Sequence, residues 1–221
     1  MSSKLLRFLL LAGLCATGGC NYFAWFAQLL PIPQNLGEPV DPEYKGLDKH
    51  SVAIVVFSDR QTHFEYPQAG EVVAYATHEE FKKSLSKVTV IDPAFVLNYQ
   101  KQHWDWDVMD KTELGKTFKA DYVLYISLME FSGRAKGSIN IVQGVISAEV
   151  AVYKTNAPER EARRWNGDIR VVYPDLQKAP DGVPGTNDRI VLERAVREFA
   201  DQLAKKFYWH RDKPVEGGFT S

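Results

Sequence analysis

"SVAIVVF", residues 51–57, is an unbroken apolar run once past Ser51, rich in β-branched side chains. A strand with no polar alternation is covered on both faces, as in a sheet with parallel neighbours and helices packed on each side. The segments around it support that reading. A long loop containing Pro67 and Gly70 follows, and then "EVVAYATHEEFKKSLSK" (71–87). Here Val73, Ala76, Phe81 and Leu85 fall near one helical stripe, with Glu79, Lys82 and Lys83 outside it. "VTVI" (88–91) reads as the next strand. Asp92-Pro93, a cap followed by a first-turn proline, opens a helix over "AFVLNYQKQ". Asp110 with Glu113 makes a capping-box-like start for "KTELGKTF", and "YVLYISLMEF" (122–131) is another apolar strand.

The second half changes rhythm. Ile146, Ala148, Val150 and Val152 alternate with Ser147, Glu149 and Ala151, the pattern of a half-exposed strand. "TNAPERE" (155–161) carries turn chemistry, and "WNGDIRVVY" (165–173) alternates as the return strand of a hairpin. After a Pro/Gly loop (174–185), Leu192, Ala195, Phe199, Leu203 and Phe207 line one face of a final helix, with Glu193 and Arg197 spaced for an i,i+4 pair. The order is β-α-β-α-α-β-β-β-α. The expected class is α/β with α+β character, a mixed sheet of about five strands with helices packed on it.

At 221 residues with 45% hydrophobic content, the chain can bury one substantial core. A formal charge of −1 advertises no nucleic-acid partner. Its distribution is uneven: Lys4 and Arg7 are the only charges before Glu38. A short basic start, an apolar run from Phe8 to Leu14 and then Ala16, Thr17, Gly18 and Gly19 have the layout of a secretory signal. Small residues directly before Cys20 resemble the lipobox of bacterial lipoproteins, although Thr17 stands where that family prefers an aliphatic residue. The resemblance implies cleavage between Gly19 and Cys20, with a diacylglycerol and an N-acyl chain such as palmitate on Cys20. An uncleaved signal anchor from Leu5 to Leu30 is the competing reading, interrupted by Gly13, Gly18, Gly19 and Asn21. Cys15 and Cys20 are spaced too widely for a CxxC redox pair.

The expected organisation is a signal peptide over 1–19, then the lipidated cysteine, an interfacial segment and a Pro-rich tether over 20–49. A single periplasm-facing domain over 50–210 and a loose tail over 211–221 complete it. Tyr22, Phe23, Trp25 and Phe26 suit the headgroup zone. By the same resemblance Asn21, not aspartate, points to the outer rather than the inner membrane of the cell envelope.

Within the domain, "VAIVVFSD", "KVTVIDP", "ELGKTFKADYVLYISLMEF" and "AEVAVYKTNAPEREARRWNGDIRV" resemble a domain shared by curli-secretion lipoproteins (CsgG), penicillin-binding-protein activator lipoproteins (LpoB) and the N-terminal part of TolB. Ala120-Asp121-Tyr122-Val123-Leu124 and Met129-Glu130-Phe131 match best. The resemblance covers roughly residues 50–173 and implies a binding or scaffold domain without catalytic residues. The connections at 132–138 and 155–161 are too short to supply the membrane strands of a secretion pore, which need ~9–11 residues each.

No enzyme motif is complete. His78-Glu79 begins HExxH, but Lys82 replaces the second histidine, and no metal or cofactor site is expected. His103, Asp105, Asp107 and Glu130 are the only crowding that could serve catalysis. "HWDWDVMD" (103–110) is the most unusual local string. Trp104, Asp105, Trp106 and Asp107 form the candidate partner patch. The plainer alternative has one tryptophan plugging the core edge while Asp110 caps a helix. The sequence therefore describes a non-enzymatic, membrane-anchored accessory or scaffold protein with a protein partner. The alternative is a homo-oligomeric, ring-forming secretion or transport component.

Overall fold

The computed structural model describes residues 37–135, 142–175 and 187–212. The chain divides into two units, residues 1–40 with 211–221 and residues 41–210. In the first, Pro39–Val40 form the short strand β1, and the Asp212 N–H donates to the Glu38 carbonyl at 3.2 Å. The signal, Cys15, Cys20, the aromatic segment and most of the tether and tail lie outside the described residues.

The second unit is built on β2 (Ser51–Ser58), whose Val52 to Val56 are all buried. Helices α1 (Arg60–Glu65) and α2 (Ala69–Ser84) follow, then β3 (Thr89–Val90), α3 (Pro93–Gln102), α4 (Lys111–Thr117) and β4 (Tyr122–Arg134). The chain continues through β5 (Val142–Lys154), α5 (Glu159–Ala162), β6 (Arg163–Tyr173) and α6 (Asp188–Lys205). The sheet is five-stranded and mixed, in the order β3-β2-β4-β5-β6. β2 is parallel to β3 and β4, whereas β4–β5 and β5–β6 are antiparallel. The α/β mixed-sheet class is as the sequence reads.

Two cores follow from the two faces of β2. Val52, Ile54 and Val56 join Leu124, Ile126, Ile146, Val150 and Ile169 beneath α2 and α6, where Phe81 and Phe199 are fully buried. Ala53 and Val55 turn the other way, to Val123 and to Val96, Leu114 and Phe118 of the α3–α4 region. Burial on both sides is why the run at 51–57 lacks alternation. Beyond β3, the edge of β2 is capped by Gln100, whose Nε2 donates to the Val56 carbonyl at 3.2 Å.

Several details depart from the sequence reading. The loop after β2 contains α1, started by Asp59, whose side chain accepts from the Thr62 N–H at 2.7 Å. The turn at 155–161 holds the short helix α5. β4 runs past Phe131 to Arg134, through a register shift between Leu128 and Glu130, so residues 132–134 are strand rather than connection. Glu193 pairs with Arg189 at 3.2 Å, one turn earlier than the expected Arg197. The unit also reaches back to Asp41, ahead of the boundary expected at residue 50, because Leu47 is 2% exposed in the main core and Tyr44 packs against it. No described helix is long and apolar enough to cross a membrane.

Candidate partner-binding site

Residues 103–110 join α3 to α4 at the carboxyl end of β2. The segment is a series of tight turns: the Trp106 N–H donates to the His103 carbonyl, Val108 to Asp105 and Met109 to Trp106, at 3.3–3.4 Å. Both ends are fastened. His103 stacks on Tyr99 with ring centroids 3.9 Å apart, and the Tyr99 hydroxyl reaches the Met109 sulfur at 3.5 Å. At the far end Asp110 accepts from the Thr112 N–H at 2.6 Å and starts α4, as its spacing suggests. The Thr112 side chain first, and its backbone N–H after it, hold the Asp110 carboxyl below the usual aspartate range.

The two tryptophans divide. Trp106 turns inward, edge-on to Phe57 at 6.2 Å, and packs on the second core with Tyr125 and Tyr153. Trp104 points into solvent and is 91% exposed. Asp105 and Asp107 are both exposed beside it. Beneath the loop, the Lys111 ammonium lies 4.4 Å over the Tyr125 ring and donates to the Asp107 and Met109 carbonyls. Burial pushes the Tyr125 hydroxyl up to about 12, with the Asp107 charge adding to it. Burial also lowers Lys111, opposed by Asp107 and Asp110. The loop is thus a rigid platform carrying one exposed indole flanked by carboxylates.

Other exposed apolar side chains lie at the same end of the sheet. Phe64 of α1, which follows β2 directly, is 85% exposed, and Val108 is 80% exposed. Met129 sits at the β4 register shift, next to Leu128, which pairs with Ser58. Sequence reasoning missed all three. Val108 was inside the quoted string, but Phe64 and Met129 are separated from it along the chain; Phe64 is brought to this end by following β2 and Met129 by the parallel pairing of β2 and β4. Tryptophan, phenylalanine and methionine are the residue types enriched at protein interfaces.

The remaining candidates are scattered. Glu130 is engaged by Arg170 across the sheet at 2.5 Å, while His103 is committed to Tyr99. His78 lies 3.7 Å from Glu79 on α2. Among the described residues no three His, Cys, Asp or Glu side chains gather around one ion-sized position. Two adjoining grooves of about 670 and 680 Å³ lie against α2 and α6; Val72, Val196 and Glu193 line both, Glu71 the first, and Tyr66 and Phe131 the second.

No protein-family model matches the chain. No curated protein matches it either. Among solved structures it is similar to the PelC dodecamer from Paraburkholderia phytofirmans, at 10% identity over 77% of this chain and 97% of that one, TM-score 0.45. It is similar to lipoprotein GNA1162 from Neisseria meningitidis, at 18% identity over 70% and 97%, TM-score 0.44. A hypothetical protein from Chlamydia trachomatis aligns at 14% identity over 71% and 96%, TM-score 0.42. Bacterial lipoproteins recur among these fold likenesses.

Proposed function

We propose that the chain is a cell-envelope lipoprotein, anchored through Cys20 to the outer membrane, whose domain works by binding as an accessory or scaffold for an envelope assembly. It needs no cofactor and carries out no chemistry of its own. The curli-secretion, penicillin-binding-protein activator and TolB resemblance implies this class of work, and the basic, apolar and small-residue start before Cys20 implies the location. One observation carries the binding reading: Trp104 is 91% exposed on a loop fastened at both ends. The eight residues of β2 separate that loop from the end where the chain comes in at Asp41, a distance of roughly 25 Å. The indole therefore sits at the end of the sheet opposite the one at which the domain begins.

The test is crosslinking in intact cells, with mass spectrometry of the wild type, Cys20→Ala and Trp104→Ala recovered from membranes. The expected result is a lipid-bearing Cys20 peptide and a reproducible envelope partner. Trp104→Ala should lose the partner while melting within ~0.5 kcal/mol of wild type, as surface substitutions do. An N-terminus still carrying residues 1–19 would establish a signal anchor instead. Self-crosslinks alone would favour a ring-forming transport component.

A further inference from the structure

The opposite end of the sheet, where the chain comes in, carries a row of cations. Lys87 precedes β3, Lys49 precedes β2, Lys119 precedes β4, Lys154 ends β5 and Arg163 begins β6. Pairing places them side by side in sheet order. The Lys49 N–H donates to the Lys87 carbonyl at 2.8 Å, Tyr122 pairs with Lys154, and Tyr153 pairs with Arg163. Five strands set the row's span at roughly 19 Å.

Two independent features mark the row. First, Lys49 and Lys119 both have left-handed backbones, with φ of 63° and 53°, and they are the only non-glycine residues so placed among the described residues. Glycine or asparagine would hold those turns at less cost, so a lysine at each of two neighbouring strand starts indicates a use for the charge. Second, the row keeps an excess of cations over the acids beside it. Asp48 pairs with Lys87 inside the row, Asp41 with Lys45 and Glu43 with Lys206 outside it, while Asp121 accepts from Ser51 and lies beside His50. Lys49, Lys119, Lys154 and Arg163 make no side-chain hydrogen bond or ion pair among the described residues. Glu159 and Glu161 of α5 lie nearby, with Arg160 on the same turn and Arg164 at the start of β6. The Trp104 end carries exposed Asp59, Glu65, Asp105 and Asp107, with Arg60 and Lys101 beside them.

We infer that this basic row is a headgroup-facing surface, docking the domain on the anionic lipid phosphates of the membrane that holds it. The inference rests on the membrane attachment proposed above. It adds an orientation: cations at the strand ends lie against the bilayer, and the Trp104 platform faces away. Each lysine near an anionic surface strengthens such contact roughly fivefold, and salt weakens it.

The test uses the full chain, purified from membranes and reconstituted in vesicles of phosphatidylcholine alone or mixed with phosphatidylglycerol. Amide exchange at 48–51, 118–121 and 154–156 should slow several-fold on the anionic vesicles only, with 103–110 unchanged. Lys49→Asn, Lys119→Asn and Lys154→Gln together should remove the difference, and asparagine suits the two left-handed turns. If that variant folds poorly, high salt on the wild type screens the same contact and should have the same effect. Equal exchange on both vesicles overturns the inference, whether the chain is membrane-bound or free. Protection that survives both the substitutions and salt also overturns it. Intact mass of the same sample separates the two readings: anionic-specific protection without lipid on Cys20 defeats the anchor and leaves the docking surface standing.

Discussion

Asp121 fastens the starts of two neighbouring strands. Its carboxylate accepts from the Ser51 N–H and from the Ser51 hydroxyl, both at 2.9 Å, and lies 3.5 Å from His50 Nδ1. The Ser51 backbone bond, then its hydroxyl, holds the Asp121 carboxyl below the usual value near 3.8. A depressed carboxylate contributes stability that is present above its unfolded pKa and lost as pH falls through the folded one. Urea midpoints measured downward from pH 6 should therefore stay level to about pH 4 and fall below it, and Asp121→Asn should fall less steeply over that acid range. Trp106 and Trp104 make the second residue-scale contrast. Trp106→Ala opens a half-buried gap against Phe57 and should cost about 1–2 kcal/mol by denaturant unfolding, where Trp104→Ala should cost almost nothing. Sequence could locate both tryptophans but could not tell them apart, because both flank Asp105. Only the contact with Phe57, from a strand far back in the chain, separates the structural ring from the exposed one.

At the scale of elements, helix starts were the most legible features, since a cap is a contact between near neighbours in sequence. Asp92 and Asp110 accept from Ala94 and Thr112, as their spacing suggests. The same logic would have found α1 from Asp59, had Pro67 and Gly70 not made the whole stretch read as a loop. Strand ends were harder. β4 continues beyond its apolar run because Arg134 is tied to Asp188 of α6 at 2.9 Å and because its partner β5 extends equally far. Gly144 of β5 illustrates packing that no local pattern announces. A Cβ there would sit 2.8 Å from the Ala195 Cβ and 3.0 Å from the Val191 carbonyl. Gly144→Ala should therefore push α6 off the sheet and cost about 1–3 kcal/mol, read as a lowered melting temperature with no change in the Asp121-dependent acid slope.

At the scale of the whole molecule, the different side chains gathered at the two ends of the sheet are a tertiary property. Apolar periodicity determined by itself that residues 51–57 lie buried between layers. The antiparallel second half and the amphipathic last helix were equally legible, because solvent and core act on a segment locally through its 2.0 and 3.6 repeats. The charge-poor start and the small residues before Cys20 determined the envelope expectation in the same way, as a contiguous string. What the tertiary structure alone decided is which side chains share an end of the sheet. Lys49, Lys119 and Lys154 are far apart in sequence and become neighbours only when β2 and β4 pair in parallel and β5 turns back. The segments bearing Phe64, Trp104 and Met129 share the other end of the sheet because they follow β2, β2's neighbour α3 and the part of β4 paired to the end of β2. Local patterns record whether a residue is buried; strand pairing, a contact between distant segments, determines which residues it faces.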